Sequence, residues 1–195
     1  MKKIIDSLNT DKVLIPCHDS VVFPKLSNEK QKEAIQRLPT DPNKTANLHC
    51  QLLVVVGMIY DLTVNVDTED GLANGASCNV KHLEYKQVET NRPSVIWVQF
   101  DEANVGNETR IKYKNRGFCH TEINHNWTLI FDIERSLTYN KKTFERIQFP
   151  LQPSAGRSVH RAQGTTLESA VITCLNGKHG KFHTYIMLHS VELNR

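Results

Sequence analysis

Between Gln51 and Phe149 the chain consists mainly of short apolar runs separated by polar turns. Leu52–Val56 is a β-branched run that ends at Gly57, and Met58–Val66 carries an apolar residue at every second position. Alternation with a period of two is typical of a half-buried β-strand, so Met58–Val66 predicts one long strand. A succession of short strands of this kind favours a small antiparallel barrel or sandwich.

Further strands and turns are predicted on either side of this segment. Asn74-Gly75 predicts a type I′ hairpin turn, because Asn and Gly tolerate the positive φ that both central positions require. Ser27 is expected to cap a helix over Asn28–Leu38, and the breaker cluster Leu38–Asn43 predicts a linker. The other predicted strands are Val13–Phe23 (interrupted at Pro16 and His18), Val80–Leu83, Ser94–Phe100, Trp127–Ile133, Thr143–Phe149 and Ala170–Leu175, while Tyr185–Val191 fits a strand or a helix.

The charges are distributed unevenly along the chain. The formal net charge is +3, from 24 Lys and Arg against 21 Asp and Glu. Asp61–Arg110 carries nine acidic and four basic residues, whereas Lys141–Arg195 carries eight basic and three acidic ones. A basic C-terminal quarter is suited to a phosphate-bearing partner, because Lys and Arg displace counterions condensed on a nucleic acid. An ordinary solvated surface has a similar composition, so charge alone leaves both interpretations open.

The five cysteines, Cys17, Cys50, Cys78, Cys119 and Cys174, are widely and irregularly spaced. An odd number without a C-x-x-C pair argues against a disulfide framework and a zinc ribbon, and it indicates a reducing compartment. No signal peptide is expected, since only two apolar residues separate Lys3 from Asp6. No apolar run approaches the roughly 20 residues that span a bilayer, so no membrane partner is expected.

The run Phe149–Leu167 carries the strongest candidate site. Its first part, F-P-L-Q-P, predicts an extended end to a strand, since each proline restricts the residue before it. Ser154–Ala162 then predicts a helical turn or two, which Gly164 stops. The residues that offer cation, amide and hydroxyl contacts to a phosphate backbone are His160, Arg161, Gln163, Thr165 and Thr166. The alternative is a basic helix end with a glycine cap.

Two segments resemble a known family. Ser158–Leu167 reads S-V-H-R-A-Q-G-T-T-L and resembles helicase motif V of the petite-integration-frequency (Pif-one) family and its Helitron transposon relatives, where it follows F-P-L-x-P. Val56–Gly75 resembles that family's V-G-x-x-V-M-L-x-x-N-x-D-x-x-x-G-L-x-N-G signature. The resemblance implies a mixed α/β fold, in which a partial RecA-like second motor domain contains an inserted small antiparallel β-barrel. We expect motor-domain segments at 1–55 and 149–195 and the insert at 56–148.

The resemblance also implies a function. Members of the family are ATP-dependent 5′-to-3′ DNA helicases of superfamily one that act in genome maintenance, in the nucleus or the mitochondrion. The implied partner is single-stranded or forked DNA, and ATP and Mg²⁺ are the cofactors implied for the full-length family. In the family's pattern, His160, Arg161, Gln163, Thr165 and Thr166 correspond to DNA-binding positions, whereas Gly164 and Ser190 correspond to positions that contact the nucleotide.

This chain departs from the family's pattern at the positions that serve ATP. It has no G-x-x-x-x-G-K-[ST] loop to hold nucleotide phosphates. Asp101-Glu102 imitates a Walker B pair but is read as the exit of an insert strand. In the motif VI segment His183–Val191, Ser190 stands where the family has an arginine that reaches the γ-phosphate. We therefore predict no catalytic residue and no cofactor bound by this chain alone. If the chain is part of a longer protein, its partner is an N-terminal motor domain.

Two alternatives remain open from the sequence. The first is a non-catalytic single-stranded nucleic-acid-binding remnant, in which Trp97, Trp127 and Tyr113 are stacking platforms rather than core residues. The second is a metal-dependent hydrolase with ligands drawn from Cys174, His179, His183 and His189, or from Asp61, Asp67 and Asp70. A partial motor domain also predicts exposed strand edges, marginal stability or self-association.

Overall fold

A computed structural model describes residues 11–25, 27–86, 92–114, 124–154, 157–158, 171–175 and 183–187. Over these residues the chain forms mostly short strands and few helices. The strands are β1 (Lys12–Pro16), β2 (His18–Phe23), β3 (Gln51–Val55), β4 (Ile59–Leu62), β5 (Ser77–Glu84), β6 (Val95–Phe100), β7 (Thr128–Ile130), β8 (Ile133–Tyr139), β9 (Lys142–Gln148), β10 (Leu151–Pro153), β11 (Arg157–Ser158), β12 (Val171–Leu175) and β13 (His183–Met187). The helices are α1 (Asn28–Gln36) and α2 (Asn107–Lys114), with a 3₁₀ turn at Pro42–Lys44.

The strands form four sheets. Their orders are β1-β3, β2-β9-β8, β10-β4-β5-β6-β7 and β11-β13-β12, and each pairing between these strands is antiparallel. The expected mixed α/β class is confirmed. Within the described chain, β10 and β7 end the five-stranded sheet without pairing with each other, so this sheet is open.

The main hydrophobic core joins the two-stranded and five-stranded sheets. Its buried side chains come from β1, β3, β4, β5, β6, β7 and β10 and from the loops beside them, and include Ile15, Leu52, Leu62, Val80, Ile96, Phe149 and Leu151. Tyr60 also connects strands through its hydroxyl, which accepts a hydrogen bond from Val55 N at 2.9 Å and donates one to Leu53 O at 3.0 Å. Burial raises the pKa of Tyr60 to about 12, so this phenol remains a neutral donor.

A second core lies between α1 and the sheet β2-β9-β8. Ala34 and Leu38 pack against Leu137 and Phe144 there. The helix begins where the sequence predicts, after Ser27, but it ends at Gln36 rather than Leu38. Ser27 occupies the N-cap position but makes no capping hydrogen bond through its side chain, so the predicted side-chain cap is wrong. Its carbonyl oxygen accepts a hydrogen bond from Gln31 N at 2.9 Å.

Two predictions between Met58 and Gly75 are wrong. The long strand predicted over Met58–Val66 extends only over Ile59–Leu62. Every residue from Tyr60 to Val64 is buried, so the half-buried alternation on which the prediction rested is absent. The turn at Asn74-Gly75 is not type I′, since positive φ occurs at Gly75 and not at Asn74. Asn74 N instead donates to Asn65 Oδ1 at 2.8 Å, and this contact holds the backbone in another turn form.

The two-residue hairpin turn lies elsewhere, at Asn140-Lys141. These residues have φ of 48° and 59° and connect the directly paired residues Tyr139 and Lys142. Positive φ at both central positions is the type I′ requirement. This turn is hard to predict from the sequence, because Lys rarely adopts positive φ and Asn-Gly is the usual signal.

Candidate nucleic-acid interface

The residues predicted to contact DNA, His160, Arg161, Gln163, Thr165 and Thr166, lie outside the described residues, as do Gly164 and Ser190. The strands that flank them are described. β11 ends at Ser158 and β12 begins at Val171, so the predicted DNA-binding segment connects these two strands. The geometry of the site is therefore built from the elements that lead into and out of it.

Ser158, the first residue of the motif V segment, lies beside the motif VI segment in one sheet. Ser158 pairs with Tyr185 and Arg157 with Ile186. On the other edge of β13, Val171 pairs with Met187 and Leu175 with His183. β11 and β12 thus run in the same direction on either side of β13, and the fold brings together two motifs that are distant in sequence.

The helix predicted over Ser154–Ala162 is wrong at Arg157–Ser158, which form strand β11. Pairing with β13 satisfies the backbone groups that a helical turn would otherwise use. Propensity is a weak local preference, and a neighbouring strand overrides it here. For Tyr185–Val191 the sequence fitted a strand or a helix. The structure has a strand over Tyr185–Met187.

The Phe149–Pro153 run is held against the five-stranded sheet. Phe149 and Leu151 are fully buried, and Leu151 pairs with Leu62. Pro150 O accepts a hydrogen bond from Thr63 N at 3.0 Å. After the run, Ser154 N donates to Ile59 O at 3.0 Å. The segment before motif V is therefore fixed to β4 along its length.

Gln148 fixes the start of the same run. Its side-chain Nε2 donates to Ile15 O at 3.1 Å and to His49 O at 3.2 Å. Its Oε1 accepts a hydrogen bond from Phe149 N at 3.0 Å. This fully buried carboxamide joins β9 to β1 and to the loop before β3.

A buried ion pair lies two residues earlier on β9. Arg146 is 1% exposed and binds Asp19 of β2 in a bidentate manner, with Nε–Oδ1 at 2.7 Å and Nη2–Oδ2 at 2.8 Å. Its Nη1 donates to Leu48 O at 3.1 Å. Because bidentate geometry and the carbonyl satisfy the guanidinium, its charge is accommodated in the interior. The hydrogen bond to Asp19 raises the pKa of Arg146 against the effect of burial.

Cys17 and His49 border this ion pair. Burial raises the pKa of Cys17 to about 12, while its thiol donates to Asp19 Oδ2 at 3.3 Å. Burial, followed by the nearby Arg146 charge, lowers the pKa of His49, which favours neutral imidazole. The Nε2 of His49 is buried without a hydrogen-bond partner. The cluster is consequently a polar structural junction with one unsatisfied titratable group.

The second family-like segment, Val56–Gly75, makes structural contacts with the helix α2. Asp70 is buried and its carboxylate accepts hydrogen bonds from Glu108 N at 2.8 Å and Thr109 N at 2.9 Å, which caps the first turn of α2. Asp67 Oδ1 accepts from Asp70 N at 3.3 Å. Gly71 has a φ of +74°, and a Cβ there would approach Val105 to 3.1 Å. The signature therefore docks α2 onto the sheet.

The predicted stacking residues are not open platforms. Trp97 is 3% exposed and packs with Val95 and Leu129, while its indole Nε1 donates to Glu84 Oε2 at 2.8 Å. This confirms the core interpretation for Trp97. Trp127 and Tyr113 are half-buried against the same cluster, and the Tyr113 ring lies 5.0 Å from Phe131.

The acidic residues considered as metal ligands have separate structural partners. Asp61 accepts from Ser77 Oγ at 2.6 Å, Asp70 caps α2, and Asp67 Oδ1 accepts from Asp70 N at 3.3 Å. Among the described residues there is no group of three or more His, Cys, Asp and Glu suited to a metal ion. Of the cysteine and histidine alternative, His179 and His189 lie outside the described residues, and the side chains of Cys174 and His183 are not described.

Four residues that connect the strands lie outside both family-like segments of the sequence: Asp19, Arg92, Arg146 and Gln148. Arg92 binds Asp132 at 3.0 Å, donates to Pro16 O, and lies 5.6 Å from the Phe149 ring centroid. A usable signal exists on β9, because Phe144, Arg146 and Gln148 share one face by alternation. An arginine and a glutamine on the face of a core phenylalanine predict buried partners.

Within the described residues, neither helix is long and apolar enough to cross a membrane. No protein-family model matches the chain, and no curated protein does. Solved structures do match.

The chain resembles Pif1 helicases in fold. It is similar to the Pif1 helicase from Candida albicans with 17% identity and a TM-score of 0.50, covering 85% of this chain and 34% of that one. The structure concerned with DNA unwinding at forked dsDNA by two coordinating Pif1 helicases has 18% identity, coverages of 85% and 28%, and a TM-score of 0.45. Bacteroides sp. Pif1 in complex with ADP-AlF4 has 18% identity, coverages of 85% and 30%, and a TM-score of 0.42. This chain spans about a third of the Candida protein's length.

Proposed function

We propose that this chain is the DNA-binding part of the second motor domain of an ATP-dependent 5′-to-3′ DNA helicase that maintains the genome in the nucleus or mitochondrion. Residues 1–55 and 149–195 supply motor-domain segments of RecA-like type, and residues 56–148 supply a β-rich insert whose main sheet is open within the described residues. The proposed DNA contacts are His160, Arg161, Gln163, Thr165 and Thr166. The partner is single-stranded or forked DNA.

One observation carries this proposal. The motif V segment and the motif VI segment are far apart in sequence, yet Ser158 of the first pairs with Tyr185 of the second. The run before motif V is anchored through Gln148, Phe149 and Leu151, which are fully buried, and Gln148 and Leu151 are bonded to neighbouring strands. A rigid base is what positions a loop for phosphate contacts. The fold likeness to the Candida albicans Pif1 helicase supports the same assignment.

The residues of this chain do not form a binding site for ATP and Mg²⁺ without a further domain. The sequence has no G-x-x-x-x-G-K-[ST] loop, and Ser190 offers no fixed positive charge for a γ-phosphate. Asp101 and Glu102 are exposed beyond the end of β6. Nucleotide hydrolysis therefore belongs, in this proposal, to a motor domain outside this chain.

Binding of a labelled single-stranded DNA oligonucleotide, followed by fluorescence anisotropy across a salt series, tests the proposal. We expect salt-dependent binding, and Arg161→Gln should lower the magnitude of the log–log salt slope by about 0.7, because one phosphate contact is lost. Arg37→Gln is the control, since Arg37 is exposed at the C-terminal end of α1. Absence of salt-dependent binding, or an equal effect of both variants, would contradict the assignment.

A second function is a non-catalytic single-stranded nucleic-acid-binding remnant of a transposon-derived helicase. It is favoured by Ser190 at the position of the family's arginine. Both functions predict DNA binding, so the discriminating observation is the coding sequence upstream. An in-frame G-x-x-x-x-G-K-[ST] loop favours the helicase, whereas a stop codon favours the remnant.

A further inference from the structure

Two cysteines that are far apart in sequence face each other across a strand pair. Cys17 follows β1 and Cys50 precedes β3, one step beyond the paired residues Pro16 and Gln51. Cys17 N donates to Cys50 O at 2.9 Å, so the antiparallel register continues through the two cysteines. Directly opposite residues of an antiparallel pair direct their side chains to the same face.

The backbone spacing of such a pair suits a covalent link. Opposite residues in a hydrogen-bonded antiparallel pair have Cα atoms about 5.5 Å apart, within the roughly 4.4–6.8 Å that disulfides span. Both cysteines are free thiols and both are half-buried. A half-buried side chain leaves a route for a small reagent, in contrast to the buried Cys78.

The surroundings of the pair supply charge and a proton acceptor. The guanidinium of Arg146 interacts electrostatically with both Cys17 and Cys50, which places both sulfur atoms near it. Burial raises the pKa of Cys17, and the positive charge of Arg146 offsets part of that rise. Asp19 Oδ2 accepts the hydrogen bond of the Cys17 thiol at 3.3 Å and is positioned to take its proton.

We propose that Cys17 and Cys50 are a redox modification site that closes to a reversible intramolecular disulfide on reaction with a small-molecule disulfide. In the first step the Cys50 thiolate attacks the oxidant, forms a mixed disulfide and releases one reduced thiol. Cys17 then passes its proton through Asp19 to the leaving thiolate as its sulfur attacks the Cys50 sulfur. The second reduced thiol is released and Asp19 is left ionised beside Arg146. Two protein thiols are oxidised and one small disulfide is reduced, so atoms and electrons balance.

The closed form joins β1 to the residue before β3 and encloses α1 in a covalent loop. It also removes the Cys17 donor from Asp19 and leaves the Asp19–Arg146 pair in place. The inference does not depend on DNA binding, because none of these residues belongs to the predicted DNA-contacting segment.

The test is incubation of the full chain with oxidised glutathione, followed by alkylation and peptide mapping by mass spectrometry. We expect a peptide pair joined through Cys17 and Cys50 that has lost two hydrogens and is restored by dithiothreitol. The closure rate should rise about tenfold per pH unit near neutrality, because the thiolate is the reacting form. Cys78→Ser is the control and should form the same link.

Cys50→Ser should leave Cys17 without its partner and abolish the cross-linked peptide. If that variant fails to fold, wild-type chain is titrated with phenylarsine oxide, which binds two thiols within reach of one arsenic atom. Protection of both Cys17 and Cys50 from alkylation at one equivalent supports the pair. The proposal is overturned if both remain alkylated after oxidation and after the arsenical, or if either links to Cys119 or Cys174 instead.

Discussion

Single residues with buried polar groups connect the elements that lead into motif V. Arg146 and Gln148 lie on the same face of β9, and their partners come from β1, β2 and the loop before β3. Each partner is distant in sequence, with Asp19 separated from Arg146 by 127 positions. A hydrogen bond between such distant residues fixes the mutual placement of strands that apolar packing alone specifies less strictly.

Asp19→Asn should destabilise the fold by about 3 kcal/mol, because it leaves the Arg146 guanidinium buried without its counter-charge. The measurement is the free energy of unfolding from urea titration. Asp132→Asn is the matched control, since the Arg92–Asp132 pair has the same chemistry but Asp132 is 38% exposed. An exposed pair contributes at most about 1 kcal/mol. Equal losses in the two variants would show that the burial of the first pair is unimportant.

His49 should make the fold sensitive to acid. The pKa of His49 is lowered in the folded state by burial and by Arg146, so the unfolded chain takes up a proton at higher pH than the folded chain does. The contribution of neutral His49 to the free energy of unfolding is therefore fully present above the ordinary histidine pKa of about 6.5. It decreases as the pH falls below that value, by up to about 1.4 kcal/mol per pH unit.

Urea midpoints measured across the range from neutral to mildly acidic pH test this prediction. His49→Gln should flatten the pH profile, because it removes the titrating group. His18→Gln, which changes an exposed histidine on β2, is the matched variant, and an equal flattening by both variants would contradict the assignment to His49. A wild-type midpoint that stays constant down to mildly acidic pH would contradict the assignment.

At the scale of elements, the sequence predicted where strands occur better than how they end and turn. The strands β5, β6 and β9 lie where apolar runs predicted them, since buried cross-strand positions demand such residues. The predicted strand Trp127–Ile133 is divided into β7 and β8, which belong to different sheets. Local patterns carry no information about which sheet a strand joins.

The candidate site could be predicted only in part from the sequence, because local patterns do not show which strands pair. Motif residues were identified because their types and spacing are local, whereas the pairing of Ser158 with Tyr185 depends on the sheet. The structural partners of Asp70 lie in α2, almost forty residues later. A carboxylate in a turn is compatible with a cation site or a helix cap, and only the fold distinguishes them.

The Asn140-Lys141 turn offers a test at this scale. Lys141→Gly should stabilise the chain by up to about 1 kcal/mol, because glycine adopts the φ of 59° at position 141 without the penalty of a Cβ. Lys142→Gly is the control and should destabilise by about 0.5–1 kcal/mol, since residue 142 lies in β9. Thermal melts of both variants give the comparison, and a loss of stability for Lys141→Gly would refute the turn geometry.

At the scale of the whole molecule, the described chain has several small cores rather than one large one. The main cluster serves two of the sheets, the second lies between α1 and the sheet β2-β9-β8, and the third surrounds Trp97. Within the described residues, the four sheets have edge strands at β1, β3, β2, β8, β10, β7, β11 and β12. Exposed edges with apolar side chains favour association with further strands.

We therefore expect concentration-dependent self-association through the end of β2. Val22 and Phe23 are 45% and 66% exposed there, on an edge strand of the sheet β2-β9-β8. Phe23→Glu should shift sedimentation toward the monomer, because a charge on an apolar edge must be desolvated on association. Ile111→Glu is the control, since Ile111 is 52% exposed but lies on α2, away from a strand edge. A wild-type chain that stays monomeric at all concentrations, or an equal response of both variants, would show that this edge does not mediate association.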